Sequence, residues 1–422
     1  MTRFQALPGF RDFYPDEMAV RNAIFSAWRD VARRYGFAEV DGPPLEPLDL
    51  FVAKSGPEIV QQLYAFTDKG EREVALRAEM TPTLARMVGA RAGGLRKPVK
   101  WFSIPQLFRY ERAQRGRLRE HFQLNCDIVG ERRVGADAEL LALAIDVLRA
   151  LGLGPDDVVA RVSSRALLAA LMVDAGVPTD RLPLVYNIVD KLERDGRDSV
   201  ADRLRKEAEL DPGPILAPFE APDLDGVRRY ATGDDAEAAL NDVAELFDRL
   251  DAMGLGGFLR FDLSIVRGLA YYTGVVWELF DRRGELRAIA GGGRYDRLLG
   301  ELAGADLPAL GFGMGDVVLT ELLRDRGRLP HTDAGVEWFL VAVHADQVAP
   351  LLELAHRLRD SGASVEYEFA EGSVGKQFKA AGARGARRVA VLGPDEVAAG
   401  EVTVRDMATG EEARVPMAEL GG

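Results

Sequence analysis

FRYERAQRGRLREHFQLNCDI, residues 108–128, packs five arginines, Arg109, Arg112, Arg115, Arg117 and Arg119, into eleven residues and interleaves them with Glu111 and Glu120. Aromatic and apolar residues flank the polar tip AQRGR, where Gly116 suits a tight reversal, so the stretch reads as two strands joined by a charged loop. Side chains of one parity share a face of a strand. Arg109 and Glu111 therefore point together, and so do Gln123 and Asp127 farther on. One face presents a guanidinium, a carboxylate, an amide and a second carboxylate. Two readings stand: a solvated hairpin of alternating charges, or a face on which Arg109 and Arg117 hold phosphate oxygens. Forked, charge-assisted hydrogen bonds of that kind are worth about 1.5–3 kcal/mol each.

Working outward, YAFTD, EVALRA and KWFSIPQLF read as further short strands, with MTPTLARMV opening a helix between them. Upstream, Pro15 and Asp16 start a helix whose apolar residues Val20, Ile24, Ala27, Trp28, Val31 and Tyr35 recur at helical spacing until Gly36. GFAEVDGPPLEPLDLF follows as an extended, proline-rich edge strand leading into a loop. Downstream, DAELLALAIDVLRAL is an apolar helix stopped by Gly152. From about 164 to 250 the chain carries no strand signal and reads as a helical insertion. Strands return in GFLRFDLSIVRGLAYYTGVVWELF, LRAIAGGGRYDRLLG and LPALGFGMGDVVLTELL. RDRGRLPHTDAG is the linker candidate. Beyond it strand and helix alternate, through EWFLVAVH, ASVEYEF, KQFKAAG, RRVAVLG and EVTVRDM, as in a small α/β domain with a largely parallel sheet. The expected organisation is residues 1–325 with the insertion at 164–250, a linker at 326–335, and a second domain at 336–422.

A chain of 422 residues suits two to three domains at roughly 150 residues each. Its 54 Lys and Arg against 67 Asp and Glu leave a net charge of -13, which excludes a uniformly basic coat for nucleic acid or membrane. Any phosphate site must be a local patch. One cysteine, Cys126, closes no intramolecular disulfide, and the four histidines lack metal-ligand spacing, so no structural metal is expected. With no signal-like N-terminus and no spanning apolar run, the expectation is a cytoplasmic protein without a membrane anchor.

Three further motifs carry chemistry. In SIVRGLAYYTG the pair Tyr271 and Tyr272 is either core packing or the wall of a ligand site, and Arg267 on an apolar segment requires an anionic partner. In AGGGRYDRLLG, Gly291, Gly292 and Gly293 mark either a bulge at a strand edge or a backbone that a flat ligand approaches closely. In LRAEMTPTLAR, Thr81 before Pro82 suits a helix N-cap, while Glu79 suits a ligand ammonium group. Neither the dinucleotide fingerprint nor the P-loop spacing is present.

In their order along the chain these motifs resemble the histidyl-tRNA synthetase family of class II aminoacyl-tRNA synthetases, nearly end to end. FRYERAQRGRLREHFQ is similar to the class II motif 2 hairpin, RGLAYYTG to the signature of histidine-specific members, and GFAEVDGPPLEP to motif 1. The resemblance implies an α+β antiparallel-sheet class II catalytic domain with a helical insertion, plus a small C-terminal α/β anticodon-binding domain. It implies ligation of L-histidine to tRNA(His) through a histidyl-adenylate, with ATP as substrate, Mg²⁺ as cofactor and a homodimer joined through motif 1. It further implies Arg109 at the α-phosphate and the histidine carboxylate, Glu111 on the adenine side, Arg117 at the distal phosphates and Arg267 as the catalytic arginine at the α-phosphate. Glu79, Thr81, Gln123 and Asp127 would hold the amino group and imidazole of histidine, and Tyr271 with Tyr272 would line the imidazole pocket.

Two positions depart from that pattern: Val318 stands where motif 3 usually has an arginine, and Ala270 where the signature often has aspartate. By motif, Arg115 and Arg294 are the nearest cations to cover the first. The terminal domain is expected to close soon after EVTVRDM, with a short or absent last helix. The rival reading is a silent paralogue such as the regulatory subunit of ATP phosphoribosyltransferase. Such paralogues typically lack the anticodon domain and have a degraded signature, whereas this chain keeps both.

Overall fold

The computed structural model describes residues 4–110, 114, 116–265, 271–330, 335–369 and 372–420. The chain divides into two compact units, Met1–Asp12 with Val20–Pro330, and Phe13–Ala19 with His331–Gly422.

Helix α1 (Pro15–Arg34), which belongs to the first unit from Val20 onward, is acidic in its first turn and basic in its last, as the helix dipole favours. It buries Ile24, Phe25, Trp28, Val31 and Ala32 on one stripe. After Gly36, at φ 77°, come strand β1 (Ala38–Glu39), β2 (Leu45–Pro47) and helix α2 (Leu48–Ser55). LDLF is thus helical rather than extended: Pro47 precedes the first turn, where its missing N–H costs nothing, and Phe51 turns inward to 1% exposure. Strands β3 (Ala65–Thr67) and β4 (Glu73–Leu76) complete a small antiparallel sheet in the order β2-β4-β3. Helix α3 (Thr81–Gly89) then leads to β5 (Val99–Ser103), β6 (Gln106–Phe108) and the long β7 (Glu120–Val129).

Helix α4 (Gly135–Ala150) is almost wholly buried and ends before Gly152, at φ 80°. After β8 (Val158–Ser164), seven helices form the insertion: α5 (Arg165–Asp174), α6 (Leu182–Val189), α7 (Leu192–Asp195), α8 (Arg197–Glu207), α9 (Pro212–Leu216), α10 (Leu224–Arg228) and α11 (Asp234–Ala252). They enclose a core of their own around Leu167, Leu171, Ile188, Leu204 and Leu240. Strands β9 (Leu259–Phe261), β10 (Val275–Asp281), β11 (Ala290–Arg294) and β12 (Ala309–Gly315) return to the main sheet, with helix α12 (Leu298–Ala303) between the last two and α13 (Asp316–Asp325) after them.

Among the described residues that sheet has nine strands in the order β1-β5-β7-β12-β11-β10-β8-β9, with β6 also paired to β7. Its central pairs are antiparallel, and its two outermost, β1 with β5 and β8 with β9, are parallel. One face buries Leu124, Cys126, Ile128, Leu310, Phe312 and Met314 against α1, α4 and α13, and the opposite face carries the site described below. The lead peptide is tied in by Arg11, which bridges Glu120 at 2.6 Å and Asp316 at 3.0 Å.

The second unit contains strands β13 (Trp338–Ala342), β14 (Val365–Tyr367), β15 (Arg388–Leu392), β16 (Glu401–Asp406) and β17 (Glu412–Pro416), with helices α14 (Val348–Asp360), α15 (Val374–Ala383) and α16 (Pro394–Ala399). Its sheet order is β14-β13-β15-β16-β17. The expected largely parallel sheet is mixed instead: β14, β13 and β15 are parallel, but β16 and β17 form an antiparallel hairpin on that edge. The reversal between β16 and β17 follows from chain length, since residues 407–411 are far too few for a parallel crossover. No described helix is long and apolar enough to cross a membrane.

Candidate active site

Strand parity builds the floor of the site. On β7 the even residues enter the core, which turns His121, Gln123, Asn125 and Asp127 to the other face. The partner β12 has glycine at each position opposite: Gly311 faces Asp127, Gly313 faces Asn125 and Gly315 faces Gln123. These glycines are required by space. A Cβ on Gly311 would lie 2.0 Å from Asp127 Oδ1, and one on Gly313 would lie 2.6 Å from Gln123 Cδ. Gly291, opposite Gly313 on β11, extends the same bare backbone. A flat ligand can therefore lie directly on the sheet.

At one end of this floor stand three tyrosines. The rings of Tyr271 and Tyr272 lie 4.6 Å apart, and Tyr295 meets Tyr271 edge-on at 5.8 Å. The Tyr295 hydroxyl donates to Asp127. Burial pushes the Asp127 carboxyl up to about 7, against the pull of the Tyr295 hydrogen bond and the Lys54 charge, and the same burial raises Tyr295 well above its ordinary value. Lys54, on α2, has a fully buried side chain that pairs with Glu79 and places its ammonium 4.3 Å from the Tyr271 ring centre. This end accordingly offers a polar ring-binding pocket with two carboxylates, one held by a lysine and one by a tyrosine.

The other end is cationic. Arg109 is fixed by its Nε–H donating to the Ala78 carbonyl at 3.0 Å, and its backbone N–H donates to Arg119 O at 2.9 Å, which closes the hairpin. At the tip Gln114 and Arg117 exchange two backbone hydrogen bonds around Gly116, which takes φ 72°. Burial first, then Arg287 and Arg109, lowers the pKa of Arg117. His121 is driven down to about 3 by burial and by Arg109, Arg11 and Arg117, so its imidazole is neutral at physiological pH. Guanidiniums crowded this way call for an anion between them.

The residues expected at the site converge. Glu79, Thr81, Arg109, Arg117, Gln123, Asp127, Tyr271 and Tyr272 all line one cavity of about 570 Å³. Glu111, Arg115 and Arg267 lie outside the described residues. Thr81 is not the N-cap of α3. Met80 occupies that position without a side-chain cap, which makes Thr81 the first helical residue and leaves it on the cavity wall. Arg294 does not cover the position of Val318. It is 7% exposed, ion-paired with Asp137 and Asp296, and donates to the Glu131 carbonyl at 2.8 Å. Residues not singled out from sequence are His121, Asn125, Tyr295, Lys54, Glu278 and Arg287. Parity on β7 carries the signal for the first two; the others reach the site from distant segments.

Comparison with known proteins agrees with this geometry. A family model described as histidyl-tRNA synthetase matches residues 9–316, and one described as an anticodon binding domain matches residues 338–422. The chain is 45% identical over its whole length to the histidine--tRNA ligase of Opitutus terrae, covering 98% of that protein. It is 41% identical over 98% of its length to the chloroplastic/mitochondrial histidine--tRNA ligase of Arabidopsis thaliana, covering 85% of that protein. The crystal structure of histidyl-tRNA synthetase from Nostoc superposes with a TM-score of 0.84 at 26% identity, over 100% of this chain and 98% of that one. With a glycine floor running from a polar ring pocket to an arginine cluster, and with relatives matching from end to end, the chain belongs to the histidyl-tRNA synthetase family.

Proposed function

We propose that the chain activates L-histidine with ATP and transfers it to tRNA(His). The observation that carries this reading is the juxtaposition, on one bare floor, of the ring pocket around Asp127 and the guanidiniums of Arg109 and Arg117. In the first step a carboxylate oxygen of histidine attacks the α-phosphorus of ATP and pyrophosphate leaves. In the second a ribose hydroxyl at the tRNA 3′ end attacks the acyl carbon and AMP leaves. Both reactants of the first step are anions, so the barrier is largely electrostatic and pre-set cations lower it. Arg109 serves the α-phosphate and the histidine carboxylate, Arg117 the distal phosphates. Glu79 and Thr81 take the ammonium, Gln123 and Asp127 the polar edges of histidine, and Tyr271 with Tyr272 the imidazole faces. By family resemblance Arg267 acts at the α-phosphate and Glu111 on the adenine side.

Mg²⁺ takes one or two carboxylates with phosphate and water oxygens. Glu278, an acid of the cavity wall among the described residues, is the residue that would hold the ion. Bound there, Mg²⁺ would neutralise phosphate charge. β1 lies at the edge of the sheet with both residues exposed, and an open edge of this kind supports a homodimer through the segment resembling motif 1. The same reading places the enzyme in the cytoplasm.

Amino-acid selectivity tests the proposal. A site built for a polar ring leaves its own groups unpaired when an apolar ring enters, a penalty of roughly 10⁴ to 10⁵. Adenylate formation should proceed with histidine and fall by about that factor with phenylalanine; similar rates with both would remove Gln123, Asp127 and Tyr272 from the pocket.

A further inference from the structure

We infer that Arg287 binds the distal phosphates of ATP and supplies the cation that Val318 cannot. The inference rests on the activity proposed above and names a residue that the motif pattern does not. Val317 and Val318, in the first turn of α13, face the cavity with methyl groups. The space in front of Val318 is shared by two other groups: a Cβ on Gly116 would lie 3.4 Å from Val318 Cγ2 and 3.9 Å from Arg287 Cδ. A methyl of Val318 and the stem of Arg287 thus both lie beside Gly116, with Arg117 next to it in sequence.

Arg287 reaches this point from the connection between β10 and β11. It is exposed at the cavity wall and forms no ion pair or side-chain hydrogen bond with another described residue. Most arginines in the unit behave otherwise: Arg294, Arg326 and Arg161 are each tied to two carboxylates. Two neighbouring guanidiniums, Arg117 and Arg287, repel until a polyanion is placed between them. A triphosphate at the arginine end of the cavity would meet Arg109, Arg117 and Arg287 together. An arginine at 318 in addition would crowd a third cation against Gly116, so valine there and arginine at 287 are alternative ways of placing one charge.

The test compares ATP with AMP, which lacks the distal phosphates, by calorimetry on the full chain. Arg287→Ala should weaken ATP binding roughly tenfold or more, the loss of one charge-assisted contact, and leave AMP binding unchanged. Arg287→Lys should keep most of the ATP affinity. Equal losses for ATP and AMP, or no loss for either, would overturn the inference. Because this readout needs no catalysis, it is separable from the proposed activity: a wild-type chain that binds ATP through Arg287 but never exchanges pyrophosphate with histidine would refute the activity alone.

Discussion

Three influences pull on Asp127 in different directions: burial raises its pKa to about 7, and the Tyr295 hydroxyl and Lys54 oppose that rise. An unfolded aspartate loses its proton near 3.8. Between those values the folded chain keeps a proton that the unfolded chain has released, so this group favours folding at the acid end and the contribution is lost as pH rises through 7. Asp127→Asn is neutral at every pH and still offers an oxygen to Tyr295. Its melting temperature relative to wild type should therefore rise from pH 5 to pH 8, by about 2–4 °C for each ~1 kcal/mol. Its KM for histidine should increase roughly tenfold or more, as for loss of one charged hydrogen bond. A variant whose relative stability falls over that range would contradict the account of burial. At this scale the sequence was informative where neighbours are local. Parity on one strand joins Gln123 to Asp127 and equally marks His121 and Asn125. Tyr295, 168 residues from Asp127, and Lys54, 25 residues from Glu79, become site residues only through the fold.

Among elements, the pairing of β7 with β12 does the most to shape the site. Gly313 and Gly311 face it with different neighbours, the end of a flexible amide in one case and a carboxylate held by Tyr295 in the other. Gly313→Ala should displace Gln123, raise KM for histidine several-fold and cost about 1–3 kcal/mol of stability. Gly311→Ala, whose Cβ would fall 2.0 Å from Asp127 Oδ1, should cost more and abolish histidine activation. Chemical denaturation with steady-state kinetics on both variants checks the order; a silent Gly311→Ala would mean that the floor is not where the ligand lies. Strands and helices with strong periodicity, such as α1 and α4, were legible in the chain. The ends of elements were not, because Pro47 and Pro82 open helices as readily as they end strands, and only the packing of Phe51 and Leu84 decides.

At the scale of the molecule, the net charge of -13 conceals local cationic surfaces. Within the second unit, residues 336–422 carry nine lysines and arginines against 14 acids, yet no acid falls among Lys376, Lys379, Arg384, Arg387 and Arg388. The structure divides that patch. Arg384 pairs with Glu366 at 3.3 Å and Arg388 approaches Glu337 at 4.0 Å, whereas Lys376 and Lys379, three residues apart on α15, stand exposed and form no ion pair with another described residue. If this unit meets the tRNA backbone, Lys376→Glu with Lys379→Glu should weaken tRNA binding and reduce its salt slope by roughly 1.4–1.8, as for two lost phosphate contacts. Histidine-dependent adenylate formation should be untouched. An unchanged salt slope would direct the search to another face. Composition alone could not separate the paired arginines from the two lysines, since the pairing acids, Glu337 and Glu366, lie in other segments of the unit.

The central claim is that the cavity couples a bound histidine to the α-phosphorus of ATP, and pyrophosphate exchange measures that coupling without tRNA. With histidine present, the chain should incorporate labelled pyrophosphate into ATP, and without histidine it should not. Binding of histidine with no exchange above background would contradict the account and leave a protein that senses the amino acid without activating it.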